Sequence, residues 1–111
     1  MIQTFPIIEA DPGVTLQILS ESPALMVVAF TFQDGAEGAL HNHPHTQSTY
    51  VESGRFLFNV GGVETEVGPG DSFIIPSDAR HGCRCVEAGK LIDTFTPRRD
   101  DFLEKSLQGV V

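Results

Sequence analysis

The chain has 111 residues and a formal net charge of −8, with 15 acidic against 7 basic side chains. That length suits one domain, residues 1–111, with a single core and no room for a separate DNA-reading or recruitment module, and the acid surplus, with the pair Arg98 and Arg99 as the only basic cluster, argues against nucleic acid or an anionic membrane as partner. Residues 1–12 carry no basic side chain and already hold Glu9 and Asp11, unlike a secretory signal, and no run is apolar and long enough to span a bilayer, so the expected setting is cytoplasmic.

Apolar side chains recur at every second position and turn residues at short intervals, which predicts an all-β sandwich or barrel. Val14 to Leu19 and Leu25 to Phe32 are the first strands, joined across Ser22 and Pro23, with Met26, Val28, Phe30 and Phe32 on one face. Asp34-Gly35 turns the chain. Ala39 to His45 brings in the histidines, Gln47 to Glu52 continues as strand, and Ser53-Gly54 turns into Arg55 to Val60, where Phe56, Phe58 and Val60 face the core. Gly61-Gly62 marks a hairpin that sends Val63, Thr65 and Val67 inward and Glu64 and Glu66 outward, closed by Gly68-Pro69-Gly70-Asp71. Ser72 to Ile75, His81 to Val86 and Lys90 to Thr96 are three more strands, the last two separated by Ala88-Gly89. About nine or ten short strands is the number of a jelly roll. Beyond Pro97, Asp100 to Leu107 makes one short helix with Phe102, Leu103 and Leu107 on its apolar side. Apolar alternation on both faces of some strands points to a covered sheet surface and hence a homodimer.

His41, His43, Gln47 and His81 have the types and spacing to place four neutral side chains on one divalent ion. His41 and His43 are two apart, so on an extended strand both imidazoles share a face. Three imidazoles and an amide oxygen suit zinc, nickel, iron or manganese, and the donor set does not choose among them. His45 competes with Gln47 for the fourth position, although it breaks the interval to Gly54, and otherwise reads as a solvated rim residue. Cys83 and Cys85 are two apart on one strand, poor geometry for a mutual bridge. They read as reduced, buried thiols, with a thiolate near the metal as the alternative.

Written as a pattern, Gly35, five residues, His41-x-His43, three residues, Gln47, six residues, Gly54 resembles the first cupin motif, with glutamine where glutamate is usual. Gly70, five residues, Pro76, then His81 after four more resembles the second. Asp78 stands where the family usually has glycine, and Cys85 where asparagine is common. The resemblance implies a double-stranded β-helix barrel, here with a short C-terminal helix, a metal in the barrel and commonly a homodimer. It implies no single reaction, since cupins include isomerases, dioxygenases, lyases, decarboxylases and proteins that only bind.

A narrower resemblance, carried by His41-Asn42-His43-Pro44-His45-Thr46-Gln47 and by Asp93-Thr94-Phe95-Thr96-Pro97-Arg98-Arg99, is to small cupins of the KdgF type. These linearise the 4,5-unsaturated monouronates released by pectin and alginate lyases, which implies a sugar acid as small-molecule substrate and a catalytic set of Asp93, Phe95 and Arg99. The residues themselves leave choices open. Alternation puts Leu91, Asp93 and Phe95 on the core face, so Asp93 has either a structural partner or a chemical task. Desolvation would raise its pKa and a metal would lower it. Arg99 either grips a carboxylate bidentately or pairs with Asp100 or Asp101, and Phe95 is most simply core. With Gln47 in place of an anionic ligand the ion keeps its full charge and is a stronger Lewis acid. Besides a uronate-linearising enzyme, two other functions remain open: an iron-dependent dioxygenase, mildly disfavoured by the missing anionic ligand, and a non-catalytic cupin that binds a metal or small ligand.

Overall fold

The computed structural model describes residues 2–108. Eight strands precede one helix: β1 (Ile8–Asp11), β2 (Val14–Ser22), β3 (Leu25–Phe32), β4 (Glu37–His41), β5 (Thr46–Val60), β6 (Val63–Val67), β7 (Ser72–Ile75), β8 (His81–Thr96) and α1 (Asp100–Gln108). Pairing is antiparallel in the order β1-β2-β3-β8-β5-β6, with β4 added on β8 and β7 on β5.

Two strands organise the barrel. β5 and β8 pair from Thr46 opposite Thr96 to Val60 opposite His81, with register shifts between Val51 and Phe56. On one side of those shifts the pair is flanked by β7 and by β3, β2 and β1; on the other it is flanked by β6 and β4. Both strands therefore bend together and serve two sheets that close around a shared core, the double-stranded arrangement expected for a jelly roll.

The bend explains why Ser53-Gly54 and Ala88-Gly89 look like turns. Gly54 has φ +81, and a Cβ there would lie 2.5 Å from the Glu87 carbonyl oxygen; a Cβ on Gly89 would drive into the Ser53 carbonyl. Only glycine allows the two backbones this close and the positive φ. The chain thus bends here without reversing, and four expected short strands are two long ones.

Side chains on the inner faces form two clusters. One, with Val51, Phe56, Ile75 and Leu91, fills the bend; the other, with Leu16, Ile18, Met26, Val28 and Phe95, lies under β2 and β3. α1 docks on the second cluster through half-buried Phe102 and Leu103, and Phe102 meets Phe30 and Phe95 edge to face at 5.8 and 5.7 Å. Asp100 and Asp101 in its first turn and Lys105 in its last complement the helix dipole.

Several expectations are corrected. β1 was not foreseen. Val63 is 67% exposed and Thr65 is exposed as well, because β6 is an edge strand paired only with β5; Val67, at its end, alone of that trio is buried, in the core cluster. On α1, Leu107 faces solvent and Ser106 is the buried residue. β4 ends at His41, so His43 lies in the following loop rather than on the same strand.

Candidate metal centre and its pocket

The histidines are assembled from three chain segments. His41 at the end of β4 is directly opposite His81 at the start of β8, and the loop after β4 folds back so that the His43 ring lies 5.5 Å from that of His41 and 4.9 Å from that of His81, centroid to centroid. One nitrogen from each of the three lies within 4.8 Å of the others. His43 and His81 are buried, and His41 is exposed at the rim.

Backbone carbonyls assign the tautomers. Nδ1 of His41 faces the Ala39 oxygen at 2.7 Å, Nδ1 of His81 the Ala79 oxygen at 2.9 Å, and Nδ1 of His43 the His45 oxygen at 3.2 Å. A carbonyl only accepts, so the proton sits on Nδ1 and each Nε2 keeps its lone pair. The His81 Nε2 is buried without a hydrogen-bond partner among the described residues. Nε2 of His43 faces Oε1 of Gln47 at 3.1 Å, which in that tautomer sets acceptor against acceptor. Converging lone pairs with no proton between them are what a cation resolves, so the residues fit a divalent ion and these four donors would hold it. Burial lowers the pKa of His43. It lowers that of His81 to about 4, against the raising effect of the Ala79 carbonyl, and neighbouring His41 and the Arg99 charge act in the same downward sense on both rings. Both imidazoles are therefore neutral and ready to ligate at neutral pH.

Behind the histidines lies Asp93. It is opposite Thr49 across β5 and β8, as Gln47 is opposite Phe95, and all four side chains are buried. Its Oδ1 has no hydrogen-bond partner among the described residues. Desolvation pushes its carboxyl up to about 7, although Thr49, Gln47 and the Arg99 charge each favour the ionised form. The Gln47 amide nitrogen donates to Thr49 Oγ1 at 3.0 Å.

Arg99 is on the loop between β8 and α1, and its partner is Asp101: Nε and Nη2 donate to the two carboxylate oxygens at 3.0 and 2.9 Å. Although burial alone would raise it, the Asp101 pKa is held below its ordinary value by these bonds and the guanidinium charge. The guanidinium also lies 4.0 Å over the Phe102 ring and 5.2 Å from that of Phe95. Of the two edges that grip a carboxylate, the Nε–Nη2 edge is thus taken, and the other edge, Nη1 with the second N–H of Nη2, remains. Asp100 pairs instead with Arg98, which also reaches Glu21.

A cavity of about 350 Å³ connects these groups, lined by His41, Gln47, His81, Asp93, Phe95 and Arg99, with Asp11 of β1 and Lys105 of α1 at its edge. Its size is that of a small-ligand site. Cys83 lines it too, but burial pushes that thiol up to about 12, and the group of converging donors contains histidines only. Cys85 points into the core and donates to the Glu87 carbonyl. Asp101 is one of the two partners expected for Arg99, whereas Thr49 is not foreseen. Thr49 shares strand parity with Gln47, which is the signal that would have found it.

A family model for the cupin domain matches residues 28–95. The chain is 37% identical over 97 residues to the pectin degradation protein KdgF of Dickeya dadantii, covering 86% of this chain and 88% of that one. Among solved structures it superposes on KdgF from Halomonas sp. with TM-score 0.84 and 34% identity, covering 92% of this chain and 99% of that chain. It superposes on an RmlC-like cupin from Shewanella frigidimarina with TM-score 0.85 and 43% identity, covering 88% of each. With both signature motifs converging on one pocket and relatives of this identity matched along nearly their whole length, the chain belongs to the cupin family and is KdgF-like.

Proposed function

We propose that this protein opens the ring of a 4,5-unsaturated monouronate from pectin or alginate breakdown and converts the resulting enol to a ketone, with His41, His43, Gln47 and His81 holding a divalent transition ion. The observation that carries the reading is the convergence at one cavity of lone-pair donors for a cation, a buried carboxyl at Asp93 whose Oδ1 has no partner among the described residues, and the Arg99 guanidinium. A bound ion with only neutral ligands would supply Lewis-acid polarisation of a substrate oxygen.

The chain's own residues supply the remainder. Asp93, with a pKa of about 7, is matched to moving a proton in either direction near neutral pH. Hemiacetal opening takes the proton from the anomeric hydroxyl as the C1–O5 bond breaks and leaves an enol at C5; ketonisation places a proton on C4 as the enol oxygen gives up its own. No electrons are gained or lost, and one carboxyl that accepts and returns protons serves both stages. The free Nη edge of Arg99 binds the substrate carboxylate, while Asp101 on the opposite edge and Phe102 beneath keep the guanidinium aimed into the cavity. Phe95 supplies an apolar wall against the sugar ring.

The test is to follow ring opening of unsaturated monouronate by NMR with metal-loaded protein. Acceleration over buffer is expected. Asp93→Asn is expected to lose at least about 100-fold in turnover while retaining the metal. No acceleration by the loaded protein, or an undiminished rate in the variant, would reject the assignment.

A further inference from the structure

An amide is a two-faced ligand: its oxygen binds a cation and its NH2 repels one, so a glutamine in a metal site needs something to fix which end faces inward. In this protein the Oε1 of Gln47 is turned toward His43 and its Nε2 toward Thr49, at 3.1 and 3.0 Å. Thr49 is fully buried on the same face of β5, two residues on, and directly opposite Asp93 on β8. Side-chain hydrogen bonds from Thr49 and Gln47 both favour the ionised form of Asp93; in that form the carboxylate only accepts, so the Thr49 hydroxyl donates to it and the Thr49 oxygen is left as an acceptor for the Gln47 amide.

We propose that Thr49 is a positioning residue of the metal site: by receiving the Gln47 NH2 and giving its own proton toward Asp93, it orients the amide so that oxygen rather than nitrogen meets the ion. This rests on the assignment of His41, His43, Gln47 and His81 as the ligands. A glutamate would need no such device, because both its oxygens accept. The glutamine here removes a negative charge from the ion's surroundings, and its orientation is then set by a neighbouring hydroxyl.

The test uses zinc as the probe, titrated against a chromophoric chelator. Thr49→Val, which keeps the side-chain shape and removes the hydroxyl, is expected to weaken zinc binding by about 10- to 100-fold, while Thr49→Ser binds within a few-fold of the unaltered protein. In a Gln47→Glu background the loss caused by Thr49→Val is expected to fall to a few-fold. Circular dichroism melts of the metal-free variants check that each one folds, and the serine variant keeps the test decisive should valine misfold. Unaltered protein that binds no zinc, or binding that survives His81→Ala undiminished, would reject the ligand assignment itself. Normal binding by Thr49→Val, with His81→Ala still defective, would overturn the positioning role alone. An equal loss in the Gln47→Glu background would overturn it as well, since that loss would reflect packing.

Discussion

Asp93 and His81 share one buried pocket and are displaced in opposite directions, which gives the metal-free protein a distinctive acid response. The folded pKa of Asp93, about 7, lies above its ordinary 3.8, so its contribution to stability is intact at the acid end and is lost as pH rises toward 7. His81 is depressed from 6.5 to about 4, so its contribution is intact above 6.5 and is lost as pH falls toward 4. Across the shared window the two slopes oppose each other, with His43, shifted in the same direction as His81, adding to the histidine side. Relative to unaltered protein, Asp93→Asn should therefore lose stability on acidification from about 6.5 to 4, and His81→Gln should lose it as pH rises from about 4 to 7. Each slope is at most about 1.4 kcal/mol per pH unit. Urea unfolding in the presence of a chelator at several pH values measures this, and parallel profiles for all three proteins would contradict it. The acidic odd member of an apolar strand face was legible from alternation alone, as were the histidines from their intervals. Thr49 was not, because a threonine on a β-strand is what propensity expects anyway, and its importance depends on which residue stands across from it. Asp78 shows the converse: it departs from the glycine usual in the motif it resembles, yet adopts a φ of +63, a conformation aspartate tolerates better than most residues.

At the scale of elements, the paired bends in β5 and β8 are the most exacting feature. Gly54→Ala combines a left-handed backbone with a clash against Glu87, and should cost roughly 2–4 kcal/mol. Gly61→Ala, at φ +59 but with nothing within 4 Å of a new Cβ, should cost only about 1 kcal/mol. Denaturant melts of the two variants measure the contrast, and equal losses would mean that the close approach of the backbones contributes nothing. Most strands were legible because their inner faces alternate cleanly. Where the reading failed, the signal was the same for two different events: glycine beside a small or polar residue marks a reversal at Gly61-Gly62 and a continuous bend at Ser53-Gly54, and only the partner strand decides between them. β1 was hidden because Ile8-Glu9-Ala10-Asp11, although it alternates, is only four residues long, carries just one large apolar side chain and runs into Pro12-Gly13.

For the whole molecule, the charge of −8 opposes the approach of any anion over distances longer than the reach of Arg99. If the substrate is a uronate, added salt should screen that long-range repulsion more than it weakens the buried contact. Its kcat/KM is then expected to rise several-fold between low and physiological ionic strength, read from initial rates across a sodium chloride series; a falling profile would show that local attraction already governs encounter. A second consequence follows from β8 carrying His81 at its first position and Asp93 near its last. The unbroken strand between them acts as a ruler: one residue added or removed there would reverse the facing of everything beyond the change and separate the two groups. Newly inserted peptide therefore belongs at the solvent-exposed Gly61-Gly62 tip, where a tag or reporter can be spliced into this barrel without disturbing the spacing on which its chemistry depends.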